Sequence, residues 1–173
     1  MNPKLDFIFK RHSIRKFTNQ PVSDEMIKDL LEAAMAAPNA MNMQTWHFVV
    51  VRDPQRLAKI RQVMPFGKME SPLAISVCGN LGNVKRLVAE NFWVQDCSAA
   101  TENLLLAANA LGLGAVWCGV HPIKTLVKGL SGVLGLPVWV VPLNVIYIGH
   151  PDEEKPASTR FNEKKISYDT YSN

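Results

Sequence analysis

The residues best suited to chemistry lie close together near the N-terminus, in a stretch that reads Arg-His-Ser-Ile-Arg-Lys-Phe from Arg11 to Phe17. Its guanidinium, ammonium, imidazole and hydroxyl groups can hold an anion such as a phosphate, because charge-assisted hydrogen bonds match phosphate oxygens. The same residues are also typical of a solvated basic surface at the end of a helix, where cations favour the negative end of the helix dipole. The stretch alone does not decide between these two interpretations.

Further polar features follow along the chain. Residues 38–44 (the amide loop) read Pro-Asn-Ala-Met-Asn-Met-Gln, residues 118–119 form a turn that includes a glycine, and Arg160 comes late. Such groups bind and orient a ligand, but they do not readily act as acid, base or nucleophile. The sequence also lacks the nucleophile elbow, the Walker loop, the His-Glu-x-x-His zinc motif and the dinucleotide-binding fingerprint. If the protein is an enzyme, its reaction therefore depends on a cofactor, and a cofactor with a phosphate and a flat heterocycle would use all of these groups.

Composition indicates a single globular domain. The chain has 173 residues, of which 47% are hydrophobic and 20% charged, and its formal net charge is +4. The first twenty residues contain five lysines and arginines and one aspartate, which by themselves account for that excess. A local excess favours a small anion site over a nucleic-acid surface, which would spread its cations along a face.

The cysteines and the apolar stretches bear on location and on metals. The three cysteines, Cys78, Cys97 and Cys118, lie in apolar sequence, and we expect them to be reduced core residues of a cytoplasmic protein. No Cys-x-x-Cys and no histidine pair at metal spacing is present, so we expect no metal site. The N-terminus has charged residues where a signal peptide would be apolar, and the uncharged runs are too short to span a membrane.

The spacing of apolar residues predicts the elements that position these groups. Helices are expected where apolar residues recur at i, i+3 and i+4, and strands where β-branched and aromatic residues cluster. The helix that begins after Ser23 has the most regular pattern, and Pro38 ends it. The predicted helices cover residues 2–11, 23–37, 53–64, 87–111 and 123–134, and the predicted strands cover residues 46–51, 72–78, 115–118 and 139–148. This alternation indicates a layered α+β or α/β domain and leaves the direction of the strands open.

Some of these segments give more specific predictions. The helix over residues 87–111 is apolar almost all round, so we expect it to be buried in the core or against a partner subunit. Pro142 interrupts the last strand and suits an edge strand or the start of a strand. The segment after His150 is polar but also contains Phe161, Ile166, Tyr168 and Tyr171. It is therefore either a loose terminus or a tail that docks on another surface, such as a second copy of the chain.

Two blocks of sequence together carry a family resemblance. Residues 11–17, followed by residues 36–49 (Ala-Ala-Pro-Asn-Ala-Met-Asn-Met-Gln-Thr-Trp-His-Phe-Val), resemble the opening of the nitroreductase family of FMN-dependent oxidoreductases. Residues 111–119 (Leu-Gly-Leu-Gly-Ala-Val-Trp-Cys-Gly) and residues 148–151 (Ile-Gly-His-Pro), which lead to Arg160, are similar to later motifs of that family. The likeness covers essentially the whole chain, which is short for the family.

The resemblance implies an architecture as well as a function. It implies an α+β fold with a central, mainly antiparallel sheet flanked by helices, in a single domain over residues 1–173. It also implies an intertwined homodimer with two FMN sites at the interface, and residues 150–173 are expected to form a tail that docks on the partner subunit.

The resemblance further implies which residues bind FMN. Arg11, His12, Ser13 and Arg15 are expected to bind FMN, the arginines and the serine mainly at its phosphate and ribityl chain, and Arg160 is expected to join the phosphate. The other subunit is expected to line the flavin edge with Pro38, Asn39, Ala40 and Asn42, and Met41 and Gln44 are also expected to bind the cofactor. The reactive part of the ring is expected beside Trp117, Cys118 and Gly119, with a backbone N–H directed at flavin N5. No side chain is expected to be catalytic, since the cofactor carries the chemistry.

The mechanism implied by the resemblance is ping-pong. NAD(P)H stacks on the flavin, passes a hydride to N5 and leaves, and a small acceptor such as a nitroaromatic or a quinone is then reduced. No nucleic-acid or membrane partner is expected. The alternatives are a flavin-binding protein, or a dehydrogenase of a specialised substrate, that NAD(P)H does not reduce. A domain that has lost its cofactor is disfavoured, because buried cations without an anion are costly.

Overall fold

The computed structural model describes residues 2–82 and 84–171. In these residues, one antiparallel sheet of four strands forms the centre of the molecule. The strands are β1 (Trp46–Val51), β2 (Leu73–Asn80), β3 (Gly114–Gly119) and β4 (Val140–Gly149). Their order across the sheet is β1-β2-β4-β3, and every neighbouring pair is antiparallel. The predicted α+β class with an antiparallel sheet is therefore confirmed.

The helices lie close to their predicted positions. They are α1 (Asp6–Lys10), α2 (Asp24–Met35), α3 (Pro54–Val63), α4 (Arg86–Asn91), α5 (Trp93–Ala110) and α6 (Lys124–Leu134), and short 3-10 turns cover Pro3–Leu5, Ala40–Asn42 and Glu163–Lys165. The side chain of Ser23 caps α2 by accepting a hydrogen bond from the backbone N–H of Met26. The side chain of Asp53 caps α3 by accepting one from the backbone N–H of Arg56. Both caps satisfy backbone donors that a helix start leaves free.

A hydrophobic core lies on each face of the sheet. On one face, α2 and α5 pack against the sheet around residues such as Leu30, Leu104 and Ile146. On the other face, α3 and α6 enclose a second core that includes Ile60 and Leu130. The burial predicted for the long helix is confirmed at Trp93, Cys97, Ala100, Leu104 and Ala108.

The prediction that Pro142 marks an edge strand is wrong, because β4 lies inside the sheet between β2 and β3. The register of β2 against β4 shifts between Val77 and Cys78, where Cys78 pairs with Pro142 and Val77 with Asn144. This β-bulge interrupts the ladder where proline cannot donate a hydrogen bond. Pro142 is also the third residue of β4, which agrees with the alternative prediction of a strand start.

The single helix predicted over residues 87–111 is two helices. The backbone at Phe92 has φ −119° and ψ −21°, and it separates α4 from α5. The side-chain amide of Asn91 donates to the carbonyl of Leu87 at 2.9 Å, so a side chain competes with the backbone at this point. The buried face of α5 therefore begins at Trp93, directly after the break.

The chain ends meet beside the sheet. Phe17 forms an antiparallel bridge with Pro151, and the backbone N–H of Thr18 donates to the carbonyl of His150 at 2.9 Å. Beyond this point the tail is exposed, with Phe161 at 71% and Tyr168 at 83% of full exposure. Docking of this tail on a partner stays a prediction, and residues 172 and 173 lie outside the described part of the chain.

Other sequence predictions concern thiols, metals and membranes. Cys78 and Cys97 are buried free thiols and Cys118 is a half-buried one. Within residues 2–82 and 84–171, no group of three histidine, cysteine, aspartate or glutamate side chains is placed to hold a metal ion. None of the helices in the same residues combines the length and apolar content needed to cross a membrane.

Candidate functional site

The basic segment, residues 11–16, runs along the outer edge of β3. Ser13 forms a parallel bridge with Ala115, and the backbone N–H of Ile14 donates to the carbonyl of Ala115 at 3.0 Å. Ile14 packs directly on Gly114, where a Cβ would lie only 2.6 Å from the Cγ2 atom of Ile14. Glycine at this position therefore permits the close approach that brings the cationic segment to the sheet edge.

Two cavities border the basic segment. The first, the Arg11 cavity, has a volume of about 520 Å³ and is lined by Arg11 and His12, the C-terminal end of α5 and residues from 151 to 157. The second, the Cys118 cavity, has a volume of about 220 Å³, and its lining includes Arg15, Phe66, Met69 and residues 116–119. The structure thus brings the predicted residues of the basic segment together with the predicted residues of β3.

The cations of the basic segment keep their side chains available. Arg11 pairs with Glu102 at 3.5 Å, and both side chains are partly exposed, so the pair contributes about 0–1 kcal/mol. Among the described residues, the guanidinium of Arg15 makes a single long hydrogen bond, 3.4 Å, to the carbonyl of Ser13. The Nε2 atom of His12 is buried and has no hydrogen-bond partner within the same residues. A buried polar atom of this kind is unfavourable unless a ligand or water satisfies it.

Glu153 and Lys155 hold the backbone of the basic segment, and the sequence did not indicate this role. The backbone N–H of Arg15 donates to Glu153 Oε1 at 2.5 Å, and that of Lys16 donates to the same oxygen at 3.4 Å. Lys155 Nζ donates to the carbonyl of Ser13 at 2.5 Å and pairs with Glu153 at 3.3 Å. The fixed backbone leaves the arginine side chains free to face a ligand.

Protonation of Glu153 gives a pH-dependent prediction. The hydrogen bond from the backbone of Arg15 is the main cause that lowers the pKa of Glu153 below its ordinary value of 4.5. A carboxyl whose pKa is lowered on folding stabilises the folded state above the unfolded-state pKa, and this stability is lost as the pH falls through the folded-state pKa. We expect Glu153→Gln to lower the Tm at about pH 7, and the difference from the unmodified protein to shrink as the pH falls well below the ordinary pKa of a glutamate.

The measurement is thermal unfolding over that pH range, with Glu154→Gln as the matched control. Glu154 is an exposed neighbour of Glu153, and we expect its substitution to change Tm little at any pH. A difference in Tm for Glu153→Gln that persisted unchanged at low pH would contradict the prediction.

Cys118 and Tyr147 form the buried floor behind the Cys118 cavity. A Cβ at Gly67 would lie 3.3 Å from both the Sγ atom of Cys118 and the Cε2 atom of Tyr147, so these groups meet beneath residue 67. Burial raises the pKa of Cys118 to about 11, although the charge of Arg15 opposes the shift. Burial likewise raises the pKa of Tyr147, whose hydroxyl has no hydrogen-bond partner in the described part of the chain. Both groups are protonated at neutral pH, so Cys118 is not a thiolate nucleophile.

The amide loop has a strained and closely tied backbone. Met41, Asn42 and Gln44 all have positive φ, at 55°, 52° and 47°. For residues other than glycine this conformation costs roughly 1–2 kcal/mol each. The backbone N–H of Gln44 donates to Asn39 Oδ1 at 2.8 Å, and Gln44 Nε2 donates to Asn42 Oδ1 at 3.3 Å. Strain of this kind persists where the surroundings hold the backbone and a ligand-binding geometry is needed.

Asp96 holds the amide loop from inside the molecule. Its Oδ1 atom accepts a hydrogen bond from the backbone N–H of Ala40 at 2.9 Å, and its Oδ2 atom accepts one from Thr45 Oγ1 at 3.3 Å. Asp96 lies in the first turn of α5 and is only 4% exposed. The one signal for this residue in the sequence is a carboxylate beside Cys97 in an apolar helix.

Within one chain, the remaining predicted residues lie apart from both cavities. The amide loop precedes β1 at one edge of the sheet, whereas the basic segment lies on β3 at the other edge. Arg160 is exposed in the tail and lines neither cavity. The structure therefore brings together the predicted residues from the basic segment and β3 but not those from the amide loop or the tail.

Comparison with known proteins identifies the family. The family model described as the nitroreductase family matches residues 8–65 and 69–150. The chain belongs to the nitroreductase family. A relative from Archaeoglobus fulgidus, named as a candidate NADH dehydrogenase/NAD(P)H nitroreductase, is 44% identical over 171 residues, which cover 96% of this nitroreductase-family chain and 97% of the relative.

Solved structures agree with this nitroreductase assignment. The crystal structure of a candidate NADH dehydrogenase/NAD(P)H nitroreductase from Bacteroides thetaiotaomicron is 37% identical, with a TM-score of 0.91 and 99% of each chain covered. A candidate nitroreductase from Desulfovibrio desulfuricans, solved in complex with FMN, is 32% identical, with a TM-score of 0.81 and 99% of each chain covered. The family membership confirms the predicted resemblance and the predicted class of enzyme, a flavin-dependent oxidoreductase.

Proposed function

We propose that the chain is an FMN-dependent enzyme that takes electrons from NADH or NADPH and reduces a small organic acceptor, such as a nitroaromatic or a quinone. The observation that carries the proposal is the position of the basic segment on the outer edge of β3, beside residues 117–119. Side chains that can bind a phosphate therefore lie close to the backbone N–H and C=O groups along the outer edge of β3, which can also bind a ligand. The names of the relatives and the FMN complex of a solved neighbour support this choice of donor and cofactor.

The donor groups of this chain fit FMN. Arginine and hydroxyl donors suit the phosphate, and a phosphate oxygen would satisfy the orphaned Nε2 atom of His12. We therefore assign the phosphate and ribityl chain to Arg11, His12, Ser13 and Arg15, and we expect Arg160 to join them. We assign the ring to the Cys118 cavity, beside Trp117, Cys118 and Gly119.

Bound FMN supplies the redox chemistry, since it accepts a hydride from a reduced nicotinamide and returns electrons to an acceptor. The residues of the chain have the tasks of binding and orientation. The outer edge of β3 from Trp117 to Gly119 has no strand neighbour in the described part of the chain, so its backbone groups can bind the ring. A Cβ at Gly119 would meet no atom within 4 Å, so this edge is open to a flat ligand and to a second substrate stacked on it.

We further propose a homodimer in which each FMN site combines residues from both chains. The amide loop and the basic segment lie at opposite edges of a four-stranded sheet, and three strand spacings separate those edges by about 14 Å. A second chain would supply Pro38, Asn39, Ala40, Met41, Asn42 and Gln44 to the flavin edge, and its exposed tail would have a surface on which to dock. Sedimentation that found only monomers of flavin-loaded protein would exclude this arrangement.

The test of the proposed function is spectroscopic. Purified protein, or apoprotein supplied with FMN, is expected to be yellow, and anaerobic NADH or NADPH is expected to bleach the flavin absorbance. Addition of a quinone or a nitroaromatic is then expected to restore it. Protein that takes up no FMN would refute the proposal, and yellow protein that neither nicotinamide reduces would favour a flavoprotein with another electron donor.

A further inference from the structure

The contacts of Asp96 connect the start of α5 with the amide loop. Its two carboxylate oxygens accept hydrogen bonds from Ala40 N within that loop, at 2.9 Å, and from Oγ1 of Thr45, which directly follows the loop, at 3.3 Å. Among residues 2–82 and 84–171, no lysine, arginine or histidine forms an ion pair with Asp96. A buried carboxylate without a cation is unfavourable unless hydrogen bonds and the positive end of a helix compensate. Such a group is thus expected to have a specific role.

The amide loop itself has the features of a pre-organised binding segment. Its backbone holds Met41, Asn42 and Gln44 in the left-handed region, although none of them is glycine. Its side chains nevertheless face outward, with Met41 at 56% exposure and both Asn42 and Gln44 exposed. The loop is therefore fixed from inside while Asn42 and Gln44, which are hydrogen-bonded to each other, remain exposed. A pre-organised segment of this kind lowers the entropic cost of ligand binding.

We propose that Asp96 is a positioning residue that holds the amide loop in the conformation in which Asn39, Asn42 and Gln44 bind FMN. The inference rests on the proposed function, and it adds a residue from the interior that touches no ligand. Asp96 acts through Ala40 and Thr45, because loss of either hydrogen bond releases a strained backbone into other conformations. A loop that adopts the binding conformation only part of the time lowers the apparent affinity by that fraction.

The test compares two substitutions of Asp96. Asp96→Leu keeps the branched shape, with bulkier methyl groups in place of the oxygens, and removes both hydrogen bonds, so we expect it to raise the FMN Kd by about 30-fold or more. Asp96→Asn can still accept from Ala40 N–H and can donate to Thr45 Oγ1, so we expect it to remain within about 3-fold of the unmodified protein. The Kd is measured by titrating apoprotein with FMN and following flavin fluorescence.

The matched control is Thr101→Val. Thr101 is a buried polar residue of the same helix, and it bonds Cys97 and Asn144 but not the amide loop. We expect this variant to lose stability while its FMN Kd stays unchanged. If Asp96→Leu does not fold, Thr45→Val removes one of the two hydrogen bonds and is expected to raise the Kd several-fold.

Amide hydrogen exchange of the apoprotein provides a readout that is independent of FMN. The N–H of Ala40 is expected to be protected in the unmodified protein and in Asp96→Asn, and to exchange at least about tenfold faster in Asp96→Leu. Equal FMN affinity of Asp96→Leu and the unmodified protein would overturn the inference, as would equal impairment of Asp96→Leu and Asp96→Asn. Unmodified protein that binds no FMN would instead refute the proposed function, while the exchange at Ala40 would still test the role of Asp96.

Discussion

Replacing both Arg11 and Arg15 with glutamine is expected to weaken FMN binding by at least about 100-fold, because each charge-assisted hydrogen bond to a phosphate contributes about 1.5–3 kcal/mol. The stability of the apoprotein is expected to change little. Arg11 makes one partly exposed ion pair and the Arg15 side chain one long hydrogen bond, and such contacts contribute about 0–1 kcal/mol each. Fluorescence titration of apoprotein with FMN measures the first effect, and thermal unfolding measures the second.

The control for this variant removes the same charge elsewhere. Lys28 and Arg86 each pair with a glutamate on their own helix, and neither lines the Arg11 or the Cys118 cavity. Changing both to glutamine should leave the FMN Kd within about 2-fold at moderate salt, because distant exposed charges are screened. Unchanged FMN affinity in the Arg11 and Arg15 variant would show that the basic segment is not part of the FMN site.

Replacing Gly114 with alanine is expected to lower the free energy of unfolding by about 1–3 kcal/mol and to weaken FMN binding at the same time. The new Cβ would lie 2.6 Å from Ile14 Cγ2 and 2.9 Å from Ile14 Cβ. The Cβ of a branched side chain cannot rotate away, so the basic segment must shift from β3 and weaken the hydrogen bond from Ile14 N to Ala115 O. Urea denaturation and FMN titration of the same preparations measure the two effects.

Gly132→Ala is the matched control. Gly132 lies within α6, and a Cβ there would meet no atom within 4 Å. Alanine is favoured over glycine in a helix by about 1 kcal/mol, so we expect this substitution to leave stability unchanged or to raise it. Equal stability of Gly114→Ala and the unmodified protein would show that the basic segment moves away from β3 without loss of unfolding free energy. The tight packing of Ile14 on Gly114 would then be wrong.

Much of the fold could be predicted because its signals are local. The predicted strand over residues 46–51 coincides with β1, and Ser23 and Asp53 cap the helices that they were expected to begin. Pro142 marks the limit of such reasoning. Its missing N–H favours an edge strand, but a register shift between β4 and β2 accommodates it inside the sheet. Register depends on the partner strand, which local sequence does not specify.

The site was predictable in part for a related reason. The resemblance indicated the basic segment and residues 117–119, and the structure places them together. Asp96 and Glu153 were missed because their partners are distant: Ala40 lies 56 residues from Asp96, and Arg15 lies 138 residues from Glu153. Contacts over such separations follow from the path of the folded chain. The roles of Arg160 and of the amide loop stay predictions, since the proposed site needs a second chain.

The position of the basic segment also has a consequence for folding. It is synthesised before its backbone partners, which are Ala115 in β3 and residues 152 and 153 after β4. Contacts between such distant positions form late, because a long loop must close before they gain any stability. The proposed phosphate ligands are therefore organised only after synthesis of β4. We expect nascent chains truncated before residue 150 to be unable to retain the cofactor, which makes flavin loading a step that follows translation.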